Sequence, residues 1–184
     1  MAVLSSFMSI SLNGFYADEN SRMDFAHRAP DPEFNEFTKN NAQGGGRLLF
    51  GRTTYDMMAG FWPTPQAMQQ MPEVAEQMNA REKFVASRSL KTADWNNTTI
   101  IHDLVADVAK LKKDGDPLTI LGSGSIVQQL ADAGLIDEIS IVVLPVTLKA
   151  GKSYLAGTNG LQSWKVAESR TFKNGNIFIR YQPA

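Results

Sequence analysis

Gly51-Arg52-Thr53-Thr54, Ser87-Arg88-Ser89 and Gly122-Ser123-Gly124-Ser125-Ile126 each follow an apolar run and replace it abruptly with glycine, hydroxyl or arginine. A glycine turn that ends a strand and opens a helix aims unpaired amide N–H groups beyond the sheet, and the helix dipole there favours an anion. Arginine adds forked, planar donors suited to a phosphate monoester. If all three turns open on one sheet edge, the glycine turn cradles a diphosphate bridge while Arg52 and Arg88 hold a further phosphate. That combination selects NADPH over NADH.

The spelling of the glycine turn limits what it can be. A dinucleotide fingerprint of the Rossmann type needs a third glycine where Val127 stands, and a P-loop needs Gly-Lys-Ser/Thr. Neither occurs, so a tight turn with a serine cap is the competing explanation of residues 122–125. The missing P-loop lysine, with no evident acidic magnesium site, also disfavours phosphotransfer.

Four further positions are candidates for a substrate pocket and one for acid chemistry. Asp31, in Asp31-Pro32-Glu33, is either a carboxylate that binds a ring or delivers a proton, or the N-cap of a helix with proline at its first position. Asp24, between Met23 and Phe25, is a weaker rival. Asn13 follows the first strand, and Phe34, Met58 and Trp62 either wall a pocket or fill the core. There is no cysteine, and the two histidines, His27 and His102, lie far apart and read as structural or exposed. No metal site is expected.

These groups need a scaffold, and strand and helix signals alternate along the chain as in an α/β domain. Strands are predicted at 3–12, with Leu4, Met8, Ile10 and Leu12 on the apolar side, and at 47–51, 83–87, 98–101, 118–121 and 138–146. Helices are predicted from Pro32, from about Arg52, over 66–80 with an interruption at Pro72, over 104–111, and over Ile126, Val127, Leu130 and Ala131 to a stop at Gly134. Met68, Met71, Ala75 and Met78 read as core, and Gly44-Gly45-Gly46 breaks the chain. Asn174-Gly175 between 165–172 and 176–181 signals a hairpin, so the sheet is expected to be mixed and mostly parallel, with helices on both faces and an antiparallel end.

Composition excludes several classes of partner. The 184 residues suit a single domain, 1–184, with a substantial core, and 43% hydrophobic with 20% charged residues is the balance of a globular protein. With 18 Lys and Arg against 19 Asp and Glu there is no basic field for nucleic acid or acidic lipid. The N-terminus lacks the basic flank of a signal peptide, and no apolar run approaches a membrane span, so the cytoplasm is the expected setting.

In sequence order, Ser11-Leu12-Asn13-Gly14-Phe15, the run Leu49 to Tyr55, Phe61-Trp62-Pro63, the run Val85 to Leu90, the run Ile120 to Ser125, the run Leu135 to Glu138, and Pro145-Val146 resemble the dihydrofolate reductase-like family. Within it they are similar to the C-terminal reductase domain of the bifunctional riboflavin-biosynthesis deaminase-reductase, over essentially the whole chain. The resemblance implies that the turns at Gly51–Thr54, Ser87–Ser89 and Gly122–Ile126 bind NADPH. It also implies hydride transfer to a pterin or a ribosylamino-pyrimidine, with the loop from Asn13 through Asp31 meeting substrate. It makes a homodimer plausible, together with the apolar strand at 138–146. The deaminase half and its zinc ligands are not in these residues. Asn13 stands where riboflavin-type domains usually have aspartate, and Lys149-Ala150-Gly151 stands where paired glycines are common. The alternative from another class is a nucleotide-binding module that keeps this fold without catalysis.

Overall fold

Leu48, Leu49 and Phe50 are all fully buried, which a strand achieves only when both of its faces are covered. They belong to β3 (Arg47–Gly51), inside an eight-stranded sheet. Its order is β5 (Thr98–Ile101), β4 (Lys83–Ala86), β3, β6 (Leu118–Leu121), β1 (Leu4–Ser11), β7 (Glu138–Leu144), β10 (Ile177–Pro183) and β9 (Trp164–Thr171). Every pairing from β5 to β7 is parallel, and β10 runs antiparallel to both β7 and β9. The mixed, mostly parallel sheet with an antiparallel C-terminal end is the expected one. The computed structural model describes residues 1–27, 29–43 and 45–184, without the side chains of His27, Ala42 and Gln43. Of the predicted glycine break, Gly44 lies outside these residues, as does the side chain of His27, while Gly45 and Gly46 both adopt a φ of 74°.

Helices cover both faces. On one, Ile126, Val127, Leu130 and Ala131 of α6 (Gly124–Asp132) and Val108 of α5 (Leu104–Leu111) pack on Leu49, Phe84, Leu118 and Ile120. On the other, Tyr55 of α2 (Arg52–Ala59) and Val74 and Met78 of α4 (Pro72–Ala80) pack on Leu48, Phe50 and Val85. Each such side chain contributes about 1.5–3 kcal/mol relative to exposure. A third cluster joins Phe34 of α1 (Pro32–Gln43) to Val142, Leu144, Phe172 and Phe178.

Several boundaries differ from the sequence-based expectation. Pro72 does divide 66–80, into α3 (Pro65–Gln70) and α4. Ala75 and Met78 are core as expected, but Met68 and Met71 are exposed because the interruption turns α3 off the sheet-facing stripe. β1 ends at Ser11, leaving Leu12 exposed in the following turn. A second, two-stranded ribbon pairs β2 (Phe15–Ala17) with β8 (Lys152–Ser153). The apolar strand taken as support for a dimer is β7, an interior strand paired on both sides, so Ile139, Val142 and Leu144 are buried in the chain's own core. Among the described residues no helix is long and apolar enough to cross a membrane.

Asp31 ties α1 to the far end of the sheet. Its Oδ1 accepts the N–H groups of Glu33 at 2.9 Å and Phe34 at 3.3 Å, and its Oδ2 accepts that of Asn174, in the β9–β10 turn, at 3.1 Å. Burial alone would raise its pKa, but the N–H groups of Asn174, Phe34, Glu33 and Lys173 outweigh it and hold the carboxyl below its ordinary 3.8. A carboxyl depressed by folding stabilises fully above the unfolded value, and that contribution is lost as pH falls through the folded value. Asp31→Asn should therefore melt at a lower temperature than wild type at neutral pH, with the gap closing in strong acid. A gap that persists unchanged into strong acid would contradict this role.

Candidate active site

The connection from β3 leads through α2 to β4 on one side, and the connection from β6 leads through α6 to β7 on the other. Neighbouring parallel strands whose connections diverge leave a crevice beyond their carboxyl ends. A cleft of about 1310 Å³ opens there. Its walls include Gly51, Arg52, Thr53 and Thr54 after β3, Ser87 and Arg88 after β4, and Gly122, Ser123, Ser125 and Ile126 after β6. All the predicted cofactor positions therefore line one cleft except Ser89, whose N–H turns back to the Ser87 hydroxyl, and Gly124, which is buried as the first residue of α6.

Ser123 fixes the turns relative to one another. Its Oγ accepts the Gly51 N–H at 2.8 Å and donates to Thr54 Oγ1 at 2.9 Å, so the β6–α6 turn and the β3–α2 turn form one unit. The expected serine cap on its own helix is not made; Ser123 instead satisfies an amide of the neighbouring turn. It does so with a φ of 60°, in the left-handed region that a side chain avoids. A Cβ on Gly122 would approach Thr54 Cγ2 to 3.0 Å, so glycine there permits the close approach. Gly124 and Ser125, the first helical residues, have no carbonyl partner for their N–H groups within α6. The Tyr16 ring packs against Gly124; burial raises the pKa of its phenol, and the nearby Gly124 N–H offsets part of that rise.

The two arginines differ. Arg52 Nε lies 2.8 and 2.7 Å from the carboxylate oxygens of Asp56, one turn along α2. Arg88 has no hydrogen-bond or ion-pair partner among the described residues and reaches the cleft as a free cation. At the β5 end, His102 Nδ1 is 2.8 Å from the Ser87 carbonyl, and Asp103 caps α5 by accepting the Ala106 N–H at 3.1 Å. Toward β1 the walls become Phe7, Met8, Ser9, Tyr16, Ala17 and Met23, with Met57 and Met58 from α2.

A family model for the RibD C-terminal domain matches residues 2–178. The chain belongs to the RibD C-terminal domain family. YyaP of Bacillus subtilis, itself uncharacterized, is 27% identical over 175 residues, spanning 95% of this chain and 91% of YyaP. A Shewanella sp. PV-4 protein named for riboflavin biosynthesis superposes with a TM-score of 0.80 at 22% identity, over 100% of this chain and 99% of that one. Enterococcus faecalis dihydrofolate reductase, solved with NADP(H), superposes with a TM-score of 0.65 at 15% identity, over 98% and 96% of the two chains. The fold is dihydrofolate reductase-like.

In this RibD-type domain only Met58 among the predicted substrate residues lines the cleft. Trp62 stands behind it, its indole N–H 3.0 Å from the Met58 sulfur. Phe34 is spent in the core, edge-on to Phe172 with ring centroids 5.1 Å apart. Asn13 clasps the loop after β7: its amide nitrogen donates to the Leu148 carbonyl at 2.8 Å, and its Oδ1 accepts the Leu148 N–H at 3.2 Å. An aspartate could not donate there, which accounts for asparagine at this position. Asp31 is not among the cleft residues and its carboxylate is fully engaged, so the helix-cap explanation holds. Asp24 pairs with Arg22. The residues missed, Tyr16 and His102, differ in legibility. His102 directly follows β5 as Ser87 follows β4, so extending the strand-end pattern to a fourth strand would have found it.

Ser123→Ala should strand the Gly51 N–H and the Thr54 hydroxyl while keeping the strained backbone, a loss of about 1–3 kcal/mol in urea unfolding. Ser123→Gly should recover part of that loss, because the left-handed backbone costs a side chain about 1–2 kcal/mol. An alanine variant as stable as wild type would remove the bridge.

Proposed function

We propose that this domain is an NADPH-dependent reductase of a small nitrogen heterocycle, of the pterin, dihydrofolate or ribosylamino-pyrimidine type. The observation that carries the proposal is the meeting of three anion-suited turns in one crevice, with Arg88 free beside them. Close packing supports the fit: a Cβ on Gly124 would come 2.8 Å from the Tyr16 ring, so the chain runs tight under the place assigned to the diphosphate. NADPH, when bound, supplies the hydride. In this reading the first amides of α6 hold the diphosphate, Arg88 holds the 2′-phosphate, and the Asp56 carboxylate keeps Arg52 alongside α2. At about 1310 Å³ the cleft exceeds the roughly 300–1,000 Å³ of a single-ligand pocket, so it has room for coenzyme and substrate together. The methionines and Phe7 make the β1 end of the cleft apolar.

Asp103 is the one carboxylate among the described cleft residues, and it caps a helix at the β5 end. Proton delivery is therefore assigned to water entering the open cleft, not to Asp31. The same observation favours the second reading, a nucleotide-binding module without catalysis. Oxidation of NADPH at 340 nm with pterins, dihydrofolate and ribosylamino-pyrimidines separates the two, since binding without turnover across all three supports the module. A homodimer and a cytoplasmic setting belong to the reductase proposal through family likeness, and a sedimentation mass of one chain would remove the dimer.

Arg88→Ala should weaken NADPH binding at least tenfold and leave NADH binding nearly unchanged, because only the phosphorylated coenzyme loses a charge-assisted contact, on the order of 1.5–3 kcal/mol. Equal losses for both coenzymes in calorimetric titration would withdraw the assignment of Arg88.

A further inference from the structure

No role is yet assigned to Tyr16, although it lies at the start of α6 inside the cleft. Its position is fixed from three sides. The backbone belongs to the β2–β8 ribbon, which packs so closely that a Cβ on Gly151 would fall 2.2 Å from the Ala17 carbonyl oxygen. The ring stands edge-on to Tyr154, centroids 6.3 Å apart at 70°, and its Cε1 rests against Gly124. Tyr154 itself is locked, because its hydroxyl donates to Ser6 Oγ at 2.8 Å.

The two phenols therefore differ in the use of their protons. Tyr154 has given its proton to Ser6, whereas the Tyr16 O–H, on a ring packed against Gly124, has no acceptor among the described residues. Burial raises its pKa above the ordinary 10.0, so the proton is present across the neutral range. A phosphate oxygen reaching the Gly124 N–H would meet a spare phenolic donor beside it, and a charged acceptor makes that bond a strong one.

Resting on the assignment of α6 as the diphosphate seat, we propose that Tyr16 is a coenzyme-binding residue whose hydroxyl donates its O–H to the diphosphate beside the Gly124 N–H. The alternative is that the phenol merely competes for the space in front of Gly124 and is displaced when the coenzyme arrives. The two differ in sign. Losing a donor to a charged oxygen weakens binding, and losing a competitor strengthens it.

The test is calorimetric titration of wild type and Tyr16→Phe with NADPH, NADH and adenosine 2′-monophosphate at fixed salt, with melting temperatures measured in parallel. The expected result is a Kd raised about tenfold for both NADPH and NADH, the size of one charge-assisted hydrogen bond at the low end of its range. Adenosine 2′-monophosphate, which has the monoester but no diphosphate, should bind both proteins equally. Unchanged or tighter NADPH binding by Tyr16→Phe overturns the proposal while leaving the coenzyme assignment standing. An equal loss for all three ligands, or a lowered melting temperature that accounts for the weakening, makes Tyr16 a structural residue and also overturns it. A flat wild-type titration with NADPH removes the coenzyme assignment and this proposal with it.

Discussion

Strands covered on both faces have only their ends to offer solvent, and that constraint divides this protein into two chemically different edges. At the amino ends of the parallel strands, charged groups are consumed in closing the fold. Arg47, which opens β3, donates to the carbonyls of Leu111 and Asp116 at 2.8 and 2.7 Å. Lys83, which opens β4, gives its ammonium to the carbonyls of Met78, Asn79 and Arg81 and lies 4.6 Å from the centre of the Trp95 ring. Burial, with the Arg81 charge adding to it, lowers the Lys83 pKa to about 8, the mark of a cation held inside by carbonyls rather than by water. Asp137, just before β7, accepts both the Leu4 N–H and the Lys112 ammonium. At the carboxyl ends the same sheet leaves amides at the starts of α2 and α6 without side-chain caps, and leaves Arg88 without an ion-pair partner among the described residues. Stability is concentrated on one edge and binding capacity on the other.

Ser123 connects these two requirements at a single residue. A glycine at that position would relieve the backbone, yet it would leave the Gly51 amide and the Thr54 hydroxyl facing one another without the atom that joins them. Strain of this kind persists where the surrounding structure imposes it, and here it is imposed between two turns that both face the cleft. Asn13 has an analogous place after β1, where two bonds to the backbone of one residue, Leu148, tie it to the loop after β7.

The division between legible and illegible features follows from the range of the interactions involved. Turns after β3, β4 and β6 are written locally, as apolar runs that end in glycine, serine or arginine, and the structure brings them together because parallel strands share an exit edge. The cap at Asp31 is equally local, written as aspartate before proline at a helix start, and its carboxylate is engaged there. Asn13 and Phe34 depended on partners distant in the chain, Leu148 and Phe172, whereas Trp62 contacts the nearby Met58 from outside the cleft. No periodicity announces strands as short as β2 and β8, so the ribbon and its tyrosine were invisible until the fold was known. Phe7 and Ser9, whose alternation with Met8 and Ile10 marks only the strand itself, are cleft walls.

Sulfur gives the β1 end of the cleft a further property. Met8, Met23, Met57 and Met58 surround it, and unbranched thioether chains re-pack around differently shaped rings with little energetic penalty. The walls of such a chamber are plastic, so they adapt to occupants of different shape through rotamer changes, with the strand exits left as they are. Those same thioethers are oxidisable, and a sulfoxide at exposed Met57 would turn an oily wall polar.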